Sequence, residues 1–319
     1  MKRRKTVFLL FAAVLSAVLV SCAPRYETNV EIGHEHSFVP FIESYDERNT
    51  DYIEGDEPFL DGIVFALECG ECGCVLPLTD EEVWCTGEPL GRGDTSLTLH
   101  CREYSAELPV TVKRVWRVAF AGDSLTAGMG DRRDMQYSTF VKKTLRREVE
   151  VGNFGVSGIS VTGYGGSFGD SEKRYEKQEV FANCCAFEPD ILFITLGTND
   201  AMGWDKASAS FADDYRALVS AFREALPDCE IVIVTTPPTG EGNAFSVPND
   251  VITDSVVPAE KALADECGLT LLDANAIISS REGGYDEIYA DGVHFNEVGV
   301  PYAAEIYTAK LREITGAGK

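Results

Sequence analysis

Hydrophobic and polar positions divide the chain into stretches with different patterns. An apolar run at residues 7–20 is followed by a polar segment without a sustained period. Short strand-length runs then occupy residues 49–113, and from residue 115 onward such runs alternate with stretches of helical period. Because strands and helices have different hydrophobic periods, this order predicts an all-β domain followed by an α/β domain.

Residues 115–319 form the predicted α/β domain. Strands that alternate with helices are typical of βαβ units, so we predict a doubly wound parallel sheet sandwiched by helices. The predicted strands lie at 117–121, 149–154, 190–195, 230–235 and 269–273. The predicted helices lie near 136–148, 173–184, 208–226, 254–267 and 298–314, the last after a candidate cap at Asn296.

Residues 49–113 form the predicted all-β domain. Glycines separate its strand-like runs, and no helical period appears, so we predict a small antiparallel sandwich. The segments YIEGDEPFLDGIVF at 52–65 and GRGDTSLTLH at 91–100 resemble bacterial Ig-like modules of surface proteins. The resemblance implies a spacer or a weak carbohydrate-binding role. The predicted strands lie at 63–67, 74–78, 96–100 and 108–112.

The N-terminus has the proportions of a signal peptide. Basic residues at 2–5 precede the apolar run, which is too short to span a bilayer. The run ends in Leu-Val-Ser-Cys at 19–22, which resembles the bacterial lipobox, whose cysteine is lipidated and becomes the first mature residue. We therefore expect a signal peptide at 1–21, a lipid anchor on Cys22, a tether at 22–48 and an extracytoplasmic location on the cell membrane. The alternative is an ordinary signal peptide with an unmodified Cys22.

Charge and cysteine content limit the partners of the protein. The formal charge is −24, and removal of residues 1–21 leaves 24 basic residues against 52 acidic ones, a charge of −28. Such a surface repels phosphate backbones, so we expect no nucleic-acid partner. Cys69, Cys72 and Cys74 have metal-ligand spacing, but a zinc knot would need a second close pair of cysteines. We therefore predict no metal site, and the pairing of any disulfides stays open.

Polar residues that suit catalysis follow the predicted strands. Gly-Asp-Ser at 122–124 follows the first strand, NFGVSG at 153–158 belongs to the second, GTND at 197–200 follows the third and DGVH at 291–294 lies beyond the fifth. Because parallel strands end at one edge of a sheet, these segments are expected to converge.

Histidine usage narrows the choice of a general base for Ser124. The chain has four histidines, and His294 is the one in the α/β domain. Asp291 lies three residues earlier and could fix its tautomer, as in a catalytic triad. Taken singly, Gly-Asp-Ser is also a common turn, and His294 could be a solvated loop residue. Their combination favours a serine nucleophile with a histidine base.

Together these blocks resemble the SGNH, or GDSL, hydrolase family over residues 116–315. The resemblance implies a flavodoxin-like sheet and a cofactor-free acyl transfer. It assigns Ser124 as nucleophile, His294 as base, Asp291 as its partner, and Ser124, Gly158 and Asn199 as the oxyanion hole. Where the family has proline after the histidine this chain has Phe295, which we expect to reshape the pocket wall.

Finer similarity concerns the substrate. TTPP at 235–238, ADECG at 264–268 and Leu272-Asp273 resemble carbohydrate O-acetylesterases within the family. This implies an esterase that removes small acyl groups, acetyl above all, from carbohydrate. A lipase, lysophospholipase or thioesterase of the same fold is one alternative, and a non-catalytic surface-binding protein is another. Tyr164, Phe168 and Trp204 are candidates for stacking on sugar rings or for core packing.

Overall fold

The computed structural model describes residues 37–79, 81–85, 90–91, 93–128, 132–165 and 173–316. Contacts divide the chain into two compact units, with the boundary between Arg114 and Val115. The predicted signal peptide, Cys22, most of the predicted tether and Phe168 lie outside the described residues. In the part of the chain that the structure describes, no helix has the length and apolarity needed to cross a membrane.

Within its described residues, the first unit consists of β-strands and one short 3-10 helix, Glu47–Asn49. Its strands are β1 Phe38–Ser44, β2 Asp51–Ile53, β3 Val64–Cys69, β4 Val75–Leu78, β5 Trp84–Cys85, β6 Ser96–Cys101, β7 Tyr104–Pro109 and β8 Thr111–Lys113. Antiparallel pairing gives two sheets, in the orders β1-β3-β4 and β5-β6-β7. Strands β2 and β8 pair in parallel. The prediction of antiparallel pairing is therefore confirmed for the two three-stranded sheets and is wrong for β2 and β8.

Strand β1 corrects the predicted start of the all-β domain. Residues 38–44, which we expected in the tether, pair with β3 in register from Phe38 opposite Cys69 to Ser44 opposite Val64. Pro40 lies within β1, where it donates no backbone hydrogen bond. The strand tolerates it because β1 lies at the edge of its sheet.

The second unit contains a five-stranded parallel sheet. Its strands are β9 Trp116–Gly122, β10 Val149–Gly155, β11 Ile191–Thr195, β12 Glu230–Val234 and β13 Thr270–Leu272. Their order is β10-β9-β11-β12-β13, and every neighbouring pair is parallel. This is the flavodoxin-like order 2-1-3-4-5, in which the chain reverses its direction across the sheet between the first and third strands. The predicted α/β fold with a parallel sheet is therefore confirmed.

Ten α-helices are described in this unit, and several short ones are absent from the sequence prediction. The helices are α1 Ser124–Ala127, α2 Tyr137–Leu145, α3 Glu179–Ala186, α4 Thr198–Met202, α5 Trp204–Ala207, α6 Phe211–Ala225, α7 Asn249–Val251, α8 Val257–Cys267, α9 Ala274–Ser279 and α10 Gly299–Thr315. A π turn, Ile252–Val256, joins α7 to α8 just before Pro258. Because Pro258 has no N–H to donate, a regular helical bond is missing at this point.

Alternating strand residues form a core on each face of the sheet. Ala119 and Ala121 of β9 belong to one buried cluster, which includes residues of α6 and α8. Val118 and Phe120 belong to a second cluster, which includes residues of α2 and α10. Burial on both faces explains why the strands are continuous apolar runs in the sequence.

Candidate active site

Ser124 lies at the carboxyl end of β9, where the chain turns sharply into α1. Asp123 caps this short helix, because its Oδ1 atom accepts a hydrogen bond of 2.9 Å from the Leu125 N–H. A Cβ atom on Gly122 would lie 2.1 Å from Thr126 Oγ1 and 2.7 Å from the Thr195 carbonyl oxygen. The strand can therefore pass this closely under α1 only with glycine at position 122.

Side chains from neighbouring elements hold α1, although it has only four residues. Asn153 Nδ2 donates to the Thr126 carbonyl at 2.7 Å, and Gln136 Nε2 donates to the Ala127 carbonyl at 2.7 Å. The hydroxyl groups of Thr126 and Tyr137 lie 2.7 Å apart in the core. Because these bonds satisfy carbonyls that a helix leaves open at its end, the backbone that carries Ser124 is fixed.

The structure brings Ser124, His294 and Asp291 together. His294 Nε2 lies 2.8 Å from Ser124 Oγ, and His294 Nδ1 lies 2.8 Å from Asp291 Oδ2. Asp291 Oδ1 accepts from the backbone N–H groups of Val293 and His294 at 2.9 and 2.8 Å. The side chains of His294 and Asp291 are 16% and 24% exposed, so this hydrogen-bonded chain is partly open to solvent.

The ionisation of Asp291 suits its place beside the imidazole. Partial burial raises the pKa of Asp291, but the hydrogen bonds from His294 and Val293 outweigh burial, so the pKa lies below its ordinary value of 3.8. Asp291 is therefore a carboxylate at neutral pH. A carboxylate that accepts a hydrogen bond from Nδ1 keeps the ring proton on that nitrogen. Nε2 then has a lone pair, which is directed at Ser124.

The turn that carries His294 is held by its own backbone and by Asn296. The Ala290 N–H donates to the His294 carbonyl at 2.8 Å. Asn296 Oδ1 accepts from the N–H groups of Val298 and Gly299, which ties the turn to the start of α10, but the helix begins at Gly299 and its N-cap residue is Val298 rather than the predicted Asn296. Phe295 is only 6% exposed and stacks on Tyr289 within the core. The expectation that Phe295 reshapes the pocket wall is therefore wrong, because the ring packs into the protein.

Gly158 and Asn199 follow strands β10 and β11, which lie on either side of β9. Gly158 has φ +74°, a conformation that favours glycine, and a Cβ atom there would meet no protein atom within 4 Å. Asn199 Nδ2 donates to the Ile159 carbonyl at 2.8 Å and lies 3.5 Å from Asp123 Oδ2. The short bond to the Ile159 carbonyl fixes the NH₂ group beside the turn at Ser157 and Gly158, whereas the second N–H makes only the long contact to Asp123.

Asp200 clamps the segment that follows Gly158, a role that the sequence analysis missed. Its Oδ2 atom accepts from the Val161 N–H at 3.0 Å, and its Oδ1 atom accepts from the Thr162 N–H and hydroxyl at 3.0 and 2.7 Å. Ser160 Oγ accepts from the Gly163 N–H at 2.9 Å. The sequence signal was present, since Asp200 ends the same GTND block that supplies Asn199.

Three buried carboxyl groups lie under the site. Burial raises the pKa of Asp123 to about 6 and that of Asp200 to about 6, although hydrogen bonds to each carboxylate lower them. Burial also raises the pKa of Glu260 well above its ordinary value, against hydrogen bonds from the Thr236 hydroxyl and N–H. Perturbed acids of this kind cluster at functional sites.

The aromatic candidates differ in their surroundings. Tyr164 is 40% exposed, whereas Trp204 packs against the core and meets Phe211 edge to face. Phe245 was not among the candidates, yet it is 47% exposed and its ring centroid lies 5.2 Å from that of His294. Within the described residues, no three His, Cys, Asp or Glu side chains form a group that could hold a metal ion.

A family model described as the GDSL-like Lipase/Acylhydrolase family matches residues 120–300, which include Ser124, Gly158, Asn199, Asp291 and His294. The chain belongs to this family. The chain contains the serine, glycine, asparagine and histidine blocks in the order that the resemblance to this family implied.

Two further similarities concern individual proteins. The chain is 28% identical over 225 residues to an acetylxylan esterase of Xylanibacter ruminicola, an alignment that covers 64% of this chain and 45% of that protein. The chain therefore matches less than half of that relative. A carbohydrate acetylesterase family member from Sinorhizobium meliloti has a TM-score of 0.50 and 20% identity, covering 63% of this chain and 100% of that one. This second similarity concerns the fold alone.

Proposed function

We propose that the protein is a serine esterase that removes small acyl groups, acetyl above all, from carbohydrate through a covalent acyl-enzyme. The observation that carries this proposal is the continuous hydrogen-bonded chain from Ser124 through His294 to Asp291, with 2.8 Å at both links. That arrangement supplies an activated hydroxyl group, a proton shuttle and an orienting carboxylate at one edge of the sheet.

The proposed reaction begins when Ser124 Oγ attacks the carbonyl carbon of the ester while His294 Nε2 takes the hydroxyl proton. The oxygen of the tetrahedral intermediate then accepts hydrogen bonds from the N–H groups of Ser124 and Gly158 and from the Asn199 amide. The C–O bond to the alcohol breaks, and the alcohol oxygen takes the proton from Nε2. Water then attacks the acyl carbon while His294 Nε2 takes one of its protons. The bond between the acyl carbon and Ser124 Oγ breaks, Oγ takes the proton from Nε2, and the carboxylic acid leaves.

Three features support a short acyl group on a carbohydrate. The segment that follows Gly158 is packed into the protein: Ile159 and Val161 are in the core, and Asp200 fixes the backbone between Val161 and Thr162. Residues 159–163 therefore do not form an apolar flap for a long acyl chain. The charge of −28 after removal of residues 1–21 disfavours anionic lipid surfaces. The similarity to an acetylxylan esterase favours the same substrate class.

Acetate release from acetylated xylan, O-acetylated sialic acid and O-acetylated peptidoglycan tests this proposal. The full chain is expected to release acetate from at least one of them. It should also prefer the two-carbon member of a nitrophenyl ester series from two to ten carbons. A small pocket cannot bury the additional methylene groups of a longer acyl chain, and each methylene group left unburied gives up about 0.8 kcal/mol of binding. A rate that rises with acyl length, without acetate from any glycan, would instead indicate a lipase or thioesterase.

The location of the enzyme is part of the same proposal. Lipid on Cys22 and a tether would hold the enzyme on the outer side of the cell membrane, and an Ig-like first unit would act as a spacer or a weak carbohydrate-binding module. The supporting observation is the order of basic residues, apolar run and Leu-Val-Ser-Cys at the N-terminus. Changing Cys22→Ala should move the protein out of the membrane fraction, whereas unchanged fractionation and lipid labelling would contradict an anchor.

A further inference from the structure

Phe245 is a large apolar side chain held beside the candidate general base with much of its surface open. Its ring is 83° from the plane of the His294 imidazole, with centroids 5.2 Å apart, and the residue is 47% exposed. A perpendicular contact uses at most one face of the phenyl ring. Single exposed apolar side chains are common at protein surfaces, so the position of this ring beside the candidate base, rather than its exposure, points to a surface that a ligand covers.

The loop that carries Phe245 is fixed to the turn that carries His294. The Ala244 N–H donates to the Asp291 carbonyl at 2.9 Å, and the Gly240 N–H donates to the Gly292 carbonyl at 2.7 Å. These two backbone bonds join the loop to the residues that precede His294. The ring of Phe245 is therefore placed relative to the imidazole by the backbone.

Asn243 and Val247 close the same loop internally. Asn243 Oδ1 accepts from the Val247 N–H at 2.9 Å, and Asn243 Nδ2 donates to the Val247 carbonyl at 2.9 Å. Val247 is 3% exposed and belongs to the core. Between them, Ser246 adopts φ +54°, which is uncommon for a residue other than glycine. Such a turn persists where surrounding bonds determine it, so Phe245 projects from a defined loop.

The chemistry of acyl transfer decides which part of an ester meets Phe245. The carbonyl oxygen must point toward the Gly158 and Asn199 donors, whereas the alcohol oxygen must lie near His294 Nε2 to receive its proton. The alcohol portion of the substrate therefore lies on the imidazole side of the site. Phe245 is in contact with that imidazole and is open to solvent, so the alcohol portion is the part it meets.

We infer that Phe245 is a specificity-determining residue that binds the alcohol portion of the substrate by stacking on the apolar face of a pyranose ring. The inference rests on the proposed carbohydrate esterase function and adds the subsite that would hold the sugar. It separates the recognition of the sugar, on the side of His294, from the recognition of the acyl group.

The test compares two acetate esters that share the acyl group and differ in the alcohol: a methyl O-acetyl-xylopyranoside and ethyl acetate. For the full chain with Phe245→Ala, kcat/KM on the sugar ester should fall about tenfold, equivalent to about 1.4 kcal/mol, while kcat/KM on ethyl acetate stays within about twofold. Phe245→Tyr keeps an aromatic ring and should retain activity on both esters. Ile277→Ala removes another exposed apolar side chain, in α9, and should change neither.

A second measurement is independent of turnover on the sugar ester. Methyl xylopyranoside should inhibit ethyl acetate hydrolysis competitively, and Phe245→Ala should weaken this inhibition about as strongly as it lowers sugar-ester kcat/KM. An equal loss on both esters, or a shifted pH profile for ethyl acetate, would show that the ring only supports His294 and would overturn the inference alone. Unchanged kinetics on both esters would overturn it as well. If the unsubstituted protein releases no acetate from any sugar ester, both this inference and the proposed function fail.

Discussion

Ser124 and His294 are 170 residues apart in the chain, yet Ser124 Oγ lies 2.8 Å from His294 Nε2. The two side chains reach this distance because Ser124 directly follows β9, whereas His294 lies on a turn that backbone bonds and Asn296 hold in place. Both segments lie where a flavodoxin-like sheet forms its sites, at the carboxyl ends of the strands.

Asp291→Asn should lower kcat by roughly 10²–10⁴-fold. The asparagine oxygen would keep the hydrogen bonds from the Val293 and His294 N–H groups, which places its NH₂ group against His294 Nδ1. The imidazole would then carry its proton on Nε2 and could no longer accept the Ser124 proton. Steady-state kinetics on an activated acetate ester measures the loss, with the exposed Asp254→Asn as the control. A loss of less than about threefold would contradict the orienting role given to Asp291.

Asn199→Ala should lower kcat by about 10²–10³-fold with a small change in KM, because the amide is proposed to donate to charge that develops in the transition state. Asn275→Ala is the matched control, since Asn275 Nδ2 also donates to a buried carbonyl, that of Thr236, at 2.8 Å. The control should lose stability and keep its kcat. A rise in KM with kcat unchanged in Asn199→Ala would contradict a role in binding the oxyanion.

Asp200→Asn should change how stability depends on pH. Burial raises the pKa of Asp200 from 3.8 to about 6, so between these values the folded state retains a proton that the unfolded state has lost. The contribution of Asp200 to the free energy of unfolding therefore falls as pH rises from about 4 to about 6, by at most about 1.4 kcal/mol per pH unit. The variant lacks this contribution. Between about pH 4 and about pH 6, its free energy of unfolding should therefore fall less, or rise more, than that of the unsubstituted protein.

Denaturant unfolding at several pH values checks this prediction in a Trp84→Phe background, where Trp116 and Trp204 report on the α/β unit alone. The asparagine NH₂ group would also oppose either the Val161 N–H or the donors of Thr162, so the variant should be less stable near neutral pH. Parallel pH curves for the two proteins would show that the Asp200 carboxyl does not hold an extra proton in the folded state.

The sheet and the position of the site were predictable because their signals are local. All five strands of the sheet were predicted to within one residue at each end, since each is a buried apolar run that a change of pattern ends. Parallel pairing places Ser124, Gly158 and Asn199 at one edge of the sheet. His294 lies in a loop well beyond β13, and the sequence linked it to them because it is the one histidine in the α/β domain.

Other features depend on contacts between distant residues, which one sequence does not reveal. Strand β1 forms because β3 pairs with it, and its Pro40 and polar surroundings concealed it. The clamp by Asp200 depends on the backbone of Val161 and Thr162, nearly forty residues earlier. Phe245 lies in a loop without a regular period, and its place beside His294 depends on the backbone bonds from Gly240 and Ala244 to Gly292 and Asp291.

The most direct test of the account is the fate of the acyl group in the full chain and in Ser124→Ala during reaction with an activated acetate ester. Acid-quenched protein should carry one acetyl group on the peptide that contains Ser124, and Ser124→Ala should carry none and turn over at the uncatalysed rate. Because Ser124 begins a short helix held by Asn153 and Gln136, the substitution should leave the fold intact. Turnover by Ser124→Ala above the uncatalysed rate, or an acetyl group on another residue of the active protein, would contradict a mechanism based on Ser124.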